Sequence, residues 1–494
     1  MGALDHLTSW HAEWRSLRVV VFGLGVTGFS VADTLVELGA EVLVVASSAT
    51  AERSDLVAVI GARLVVPQDA AVPAELREFD PQLVIVSPGF GLDHALVRWA
   101  LEKGIPTWGD IELAWRLRDK VSPAAEWITV TGTNGKTTTV HLAEHILQTA
   151  GERAVAVGNV GVPVLDAIRD PSGFDFLVVE LSSFQLHWLP REGAGSLEPL
   201  ASVCLNVADD HLDWHGSREA YAEAKATVYA NTRVACVYNR DVEATRRMVE
   251  EAEVQEGCRA IGFGLGAPGP SDFGVVDDLI LDRAFAEDRQ HSAIELSTLG
   301  ELGTAGLSAP HMVANVLAAC ALTRAAGVSP QTMRLALSSF RVDHHRMEPV
   351  ALRDDVRWVN DSKATNPHAA EAALRSYDSV VWVVGGLLKG VDIAALIEAQ
   401  ASRVRAAIII GRDRDALLAA FARHAPHVPL FEVTAADTED VMPEVVRLAA
   451  RVAKQGDVVL LAPAAASMDQ FIDYADRGRR FAVAVHDYLG DAGD

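Results

Sequence analysis

Short, unbroken runs of aliphatic and β-branched residues recur along this chain, and each closes on a glycine, a hydroxyl or a carboxylate. They lie at Arg18–Phe22, Glu41–Val45, Leu83–Val86, Trp127–Val130, Phe174–Val179, Ala201–Val207, Val356–Val359, Val380–Val384, Ala406–Ile410 and Val458–Leu461. Apolar runs of this kind, continuous rather than alternating, suit strands buried on both faces of a parallel sheet. Helix-like stretches separate them, among them a run ending at Leu38, then Leu96–Lys103, Thr137–Gln148, Ser217–Tyr229 and His311–Ala325. Strand, polar tip and helix in repetition predict an α/β protein with parallel sheets. Lys120–Ala125, with its Ser-Pro, reads as a linker, and the character changes again at Val342–Arg346. These breaks predict three domains, 1–121, 122–342 and 343–494. The stretch from Asp241 to about Arg289 is uneven and reads as peripheral, and the extra length around 262–300 has no derivable role.

The strongest chemistry lies between the run at Trp127 and the helix after it, in Gly132-Thr133-Asn134-Gly135-Lys136-Thr137. Two glycines let successive backbone N–H groups face one point at a helix N-terminus, which favours anions. Lys136 supplies a charge for the outer phosphates, and Thr137 a hydroxyl for a phosphate-bound Mg²⁺. The full phosphate-loop spacing would need glycine at Val130, so this is a shortened ATP or GTP loop in a P-loop ATPase-like central domain. Glu180, at the tip of the next long strand, stands where a carboxylate would hold Mg²⁺. The run ending at Val207 leads into Asp209-Asp210-His211, a polar cluster at a strand end in which His211 reads as a ligand or positioning group.

Gly23, Gly25 and Gly28 form a G-x-G-x-x-G between strand and helix, so the first domain reads as Rossmann-like. The second strand ends in Ala46-Ser47-Ser48 rather than the acid that takes ribose hydroxyls, which argues against NAD and for another diphosphate. Ser87 and Gly89 follow a further strand and could face the same edge, and Asn159 sits in a small-residue turn. In the last domain, strand tips carrying Asp361, Lys363, Lys389 and Ser467 predict a second Rossmann-like sheet with one equipped edge.

Charge then narrows the partners. A formal net charge of −24 over 494 residues excludes a generic nucleic-acid or anionic-membrane surface, so positive groups inside motifs count for more. No apolar run reaches the length of a membrane span, and the N-terminus has no secretory core, so a cytoplasmic enzyme is expected. The four cysteines, Cys204, Cys236, Cys258 and Cys320, are widely spaced and read as core thiols.

Together the short G-T-N-G-K-T loop, Glu180, Asp210-His211, Lys225, His345-Arg346 and the G-G-x-x-K-G-x-D run from Gly385 resemble the Mur ligase family, nearly throughout and in the family's order. These are ATP-dependent amide-forming enzymes of peptidoglycan assembly. Glu180-Leu-Ser-Ser-Phe-Gln-Leu, Asn360-Asp-Ser-Lys-Ala-Thr-Asn and Ser467-Met-Asp-Gln-Phe look like its D-glutamate-adding branch, whose other substrate is UDP-N-acetylmuramoyl-L-alanine. The resemblance implies an acyl-phosphate mechanism, ATP and Mg²⁺, a monomer, and a third domain that closes over ATP. It assigns ATP to Gly132, Thr133, Asn134, Gly135, Lys136, Thr137, Thr138, Asn315, Arg346 and Asp361. It assigns metal ions to Thr137, Glu180, His211 and Lys225, and catalysis to Lys136, His211 and Lys225. The UDP substrate falls to Val26, Thr27, Ser47, Ser87, Gly89 and Asn159, and D-glutamate to Thr365, Lys389, Ser467, Met468 and Tyr474. Spacing alone makes Lys225 a solvated surface lysine; only the resemblance makes it a carbamylated metal ligand. Met312, Met468, Tyr474 and Ala46 depart from the residues frequent at these positions in the family.

Overall fold

The computed structural model describes residues 4–68, 71–341, 345–388, 391–412, 414–435 and 437–490. Three sheets organise them. The first holds β1 (Arg18–Phe22), β2 (Glu41–Val45), β3 (Arg63–Val65), β4 (Leu83–Val86) and β5 (Thr107–Gly109), all parallel, in the order β3-β2-β1-β4-β5. The second is built from β6 (Glu126–Thr131), β7 (Ala154–Gly158), β8 (Phe176–Glu180), β9 (Ala201–Cys204), β10 (Ala235–Asn239), β11 (Arg259–Phe263), β12 (Asp272–Val276), β13 (Leu279–Asp282) and β14 (Ile294–Thr298). Its order is β14-β13-β12-β11-β10-β9-β6-β8-β7, with β13 antiparallel to both of its neighbours, β12 and β14. The stretch read as peripheral therefore supplies ordered strands at one edge of this sheet. The third sheet comprises β15 (Glu348–Arg353), β16 (Val356–Asn360), β17 (Val380–Gly385), β18 (Val404–Ile410), β19 (Leu430–Glu432) and β20 (Val458–Leu461), in the order β15-β16-β20-β17-β18-β19. Only β15 runs antiparallel to its neighbour.

The unbroken apolar runs have a direct packing cause. Along β17, Val380, Trp382 and Val384 enter one core while Val381 and Val383 enter another. In β1, Val19 and Val21 likewise face away from Val20 and Phe22. Side chains alternate across a strand, so a sheet covered on both faces needs apolar residues at every position.

Compactness divides the chain into two units. One is Met1–Val207 with Glu219–Phe340, and the other Ala208–Arg218 with Arg341–Asp494. The first unit holds the first and second sheets. They share a core that includes Trp115 and Trp127, whose rings meet edge to face at 5.3 Å. Ser30 donates to Asp166 (2.5 Å), and Arg169 pairs with Asp33 (2.6 Å) and Glu37 (2.7 Å). Glu37 also takes Lys120, and the two cations hold its carboxyl below the usual range against the opposing effect of burial.

Candidate active site

The phosphate loop connects β6 to the helix Lys136–Thr149. Gly135 has a φ of +85°, and a Cβ there would fall 2.3 Å from Asn315 Oδ1. Glycine is thus what lets Asn315, buried on the helix Pro310–Ala325, lie against the loop. Asn206 braces the other side: Asn134 N–H donates to its Oδ1 (2.8 Å), and its Nδ2 donates to Asn134 O (3.0 Å). Thr133 Oγ1 meets the Tyr221 hydroxyl at 3.0 Å. The loop is therefore held open by side-chain amides and hydroxyls that turn its backbone in fixed directions.

Charge collects at the loop. Lys136 Nζ donates to the carbonyls of Gly132 (2.8 Å) and Thr133 (3.0 Å). Lys225 is not the surface lysine that spacing suggested; it is 1% exposed. It faces inward from the helix Arg218–Ala226, donates to the same Gly132 carbonyl at 3.0 Å, and lies 4.6 Å over the Tyr221 ring. Glu180, at the tip of β8 and 2% exposed, accepts from Thr137 Oγ1 (2.8 Å) and Asn159 Nδ2 (3.0 Å). The Thr138 hydroxyl is buried with no partner among the described residues. Two ammonium groups converge on one carbonyl, and a buried carboxylate touches the hydroxyl at the helix start. That arrangement can bind polyphosphate and offers hard oxygen donors to a divalent cation.

The glycine fingerprint closes the first sheet's carboxyl edge. A Cβ on Gly28 would sit 2.2 Å from the Gly23 carbonyl, and one on Gly23, at φ +105°, would sit 2.8 Å from Ser87 Oγ. The tips of β1 and β4 and the helix Val26–Glu37 therefore come together only because both are glycine. Val26, Ser47 and Gly89 are exposed at this edge, with Thr27 and Ser87 partly buried. Nearby, Asp110 is buried and takes its hydrogen bond from Gln185 (3.0 Å), and burial pushes its carboxyl up to about 6. Burial likewise lifts Glu112 to about 7, against the opposing pull of its partner Arg116.

The remaining residues belong to the second unit. Asp361, just past the tip of β16, is buried, accepts from Met347 N–H (3.2 Å), and burial raises it to about 6 while Arg346 opposes the shift. Ser467 is buried, Thr365 and Tyr474 partly buried, and Met468 exposed. His211 has a φ of +52°, with its Nε2 3.6 Å from Asp210 Oδ2. Lys389 lies outside the described residues. Arg477 ties the loops that carry Thr365 and Ser467. Fully buried, it donates to Ser362 Oγ (2.9 Å), Ser362 O (2.8 Å) and Ala465 O (3.1 Å), and burial lowers its pKa to about 9.

Sequence reasoning missed Asn206, Tyr221, Gln185 and Arg477. Asn206 gave one usable signal, an amide inside an otherwise apolar run. Arg477 gave none, because its helix reads as charged and solvated.

Three family models match the chain: Mur ligase MurD-like, N-terminal domain (residues 17–109), Mur ligase middle domain (130–323), and Mur ligase, glutamate ligase domain (345–465). The chain is 64% identical over 498 residues to a UDP-N-acetylmuramoylalanine--D-glutamate ligase of Leifsonia xyli, covering 99% of this chain and 96% of the relative. It is 48% identical to the protein of that name from Streptomyces avermitilis, covering 96% and 98%. Among solved structures it resembles the UDP-N-acetylmuramate-alanine ligase MurC of Thermotoga maritima (TM-score 0.56, 19% identity, 96% and 99% covered). It also resembles the MurF ligase of Thermotoga maritima in complex with ADP (TM-score 0.56, 17% identity, 100% of both chains).

Proposed function

The chain belongs to the Mur ligase family, and on that premise we propose that it joins D-glutamate to UDP-N-acetylmuramoyl-L-alanine at the expense of ATP. The reaction would run in the cytoplasm, in the synthesis of peptidoglycan precursors for wall growth, cell shape and division, on a monomer. The relatives' shared name supports the substrates. The observation that carries the chemistry is the convergence of Lys136 and Lys225 on Gly132 beside the Thr137–Glu180 contact.

A carboxylate oxygen is a poor leaving group. In this reading ATP phosphorylates the alanyl carboxylate, the amine of D-glutamate attacks the acyl phosphate, and phosphate leaves the tetrahedral intermediate. The protein's share is orientation and charge neutralisation. Gly132, Thr133, Asn134, Gly135, Thr137 and Thr138 would cradle the phosphates, and Lys136 would follow the transferred phosphoryl. Asn315, Arg346 and Asp361 would position the nucleotide. Val26, Thr27, Ser47, Ser87, Gly89 and Asn159 would take the UDP substrate, and Thr365, Lys389, Ser467, Met468 and Tyr474 the D-glutamate. Thr137 and Glu180 are hard oxygen donors in contact, which fits Mg²⁺, an ion that keeps several waters and few protein ligands. His211 and a carbamylated Lys225 would complete its setting. When bound, Mg²⁺ neutralises charge on the phosphoryl oxygens. The domains of this reading are 1–121 for the UDP substrate, 122–342 for ATP, and 343–494 for the amino acid, closing over ATP.

Phosphate release from ATP with UDP-N-acetylmuramoyl-L-alanine, tested against a panel of amino acids, checks the proposal. Release with D-glutamate alone is expected. Release with L-lysine or diaminopimelate but not D-glutamate would contradict it.

A further inference from the structure

Four thiols are present, and their settings differ sharply. Cys204 and Cys320 are fully buried, and burial pushes them up to about 11 and about 12. Thiols held protonated and away from solvent are poor nucleophiles. Cys236 and Cys258 are different because they face each other. Cys236 lies in β10 and Cys258 immediately precedes β11, its parallel partner, with Ala235 opposite Arg259. That register sets the two sulfurs 3.8 Å apart across 22 positions of sequence.

Their exposures are complementary. Cys236 is buried, whereas Cys258 is partly exposed at the sheet's end. The hydrogen bond between the two sulfurs lowers the Cys258 pKa, helped by the N–H groups of Cys236 and Arg259 against burial. The same hydrogen bond, with burial, raises the Cys236 thiol well above its ordinary value. One sulfur is thus reachable from solvent and the more readily ionised, and the other is a buried neighbour 3.8 Å away.

We propose that Cys236 and Cys258 form a site of reversible oxidation, at which a hydroperoxide converts the pair to a disulfide. The Cys258 thiolate attacks the peroxide, takes one oxygen to become a sulfenic acid, and releases water or an alcohol after proton uptake. Cys236 then attacks the sulfenic sulfur and gives up its proton, and the hydroxyl leaves as water. Two thiols are oxidised by two electrons, and one peroxide is reduced. The sulfurs must close from 3.8 Å to about 2 Å. The bond would tie β10 to the start of β11 and close the loop that contains the helix Glu243–Glu250. Neither cysteine touches the phosphate loop, so the proposal stands apart from the assignment of the ligase reaction.

The full-length protein is treated with a few equivalents of hydrogen peroxide, alkylated with N-ethylmaleimide and measured by intact mass and peptide mapping. The expected result is a loss of 2 Da before alkylation, two fewer maleimide adducts after it, and one cross-linked peptide pair containing residues 236 and 258, all reversed by dithiothreitol. Cys236→Ser is expected to stop at a Cys258 sulfenic acid that dimedone captures. Because the wild-type mass does not depend on any variant, the test holds even if Cys236→Ser folds poorly. Full alkylation of both thiols after peroxide, or sulfinic and sulfonic products at Cys258 with Cys236 still alkylatable, would overturn the proposal. So would a cross-link through Cys204 or Cys320.

Discussion

A lysine removed from water costs several kcal/mol unless its charge is met by well-placed oxygens. Lys225 is 1% exposed and donates to the Thr131 hydroxyl and to the Gly132 carbonyl of the phosphate loop, the carbonyl that also receives Lys136. Such a position is built for electrostatics at the loop, and a carbamate there would exchange the ammonium for a carboxylate, an oxygen donor to a divalent cation. We expect Lys225→Ala to lower turnover by about two orders of magnitude, as loss of a preorganised charge does, and added acetate to restore part of it. Wild-type-like turnover in steady-state phosphate release would return Lys225 to a packing role. That Lys136, Thr137 and Glu180 gather at one loop was legible because their types and order mirror phosphate chemistry. The inward direction of Lys225 was not, since a lysine among alanines on a helix carries no mark of the face it presents. Asn206 and Arg477 escaped for a related reason. They act on backbone groups of distant loops, and such pairings leave no local spacing.

Among the elements, the long buried strands were readable because double-sided burial demands apolar residues at every position. The three-residue strands β3, β5 and β19 are too short to show a pattern, and β15 and the β12–β14 edge are half-buried and antiparallel, with mixed composition. The short helix Asp110–Arg116 carries two buried acids, Asp110 and Glu112, whose burial nothing in its local pattern marks. Asp110 makes a pH prediction at this scale. Its folded pKa, about 6, lies above its ordinary 3.8, so its contribution to stability is complete below 3.8 and is lost as pH rises through 6. A shift of that size corresponds to about 3 kcal/mol. Thermal unfolding of Asp110→Asn against wild type across pH 4 to 8 should show the variant gaining relative stability as pH rises, with most of the change complete by about pH 6. A constant difference across that range would contradict the assignment.

At the scale of the whole molecule, an acidic chain meets anions with a few cations carried on helices and turned toward the loops at its strand ends. Its formal charge of −24 is offset at the phosphate loop by Lys136 and Lys225, and beneath the loops of the third sheet by the buried Arg477. The sheet classes and strand-tip positions followed from the run pattern. The shared core around Trp115 and Trp127 is a tertiary fact that neither run announces. The central claim is that phosphate is transferred to the alanyl carboxylate before the amide forms. Its most direct measurement uses UDP-N-acetylmuramoyl-L-alanine with both terminal carboxylate oxygens labelled with ¹⁸O, turned over with ATP and D-glutamate, followed by mass analysis of the released phosphate. One ¹⁸O in each phosphate, with one phosphate per amide, is the predicted result; phosphate carrying no label from the substrate would contradict it.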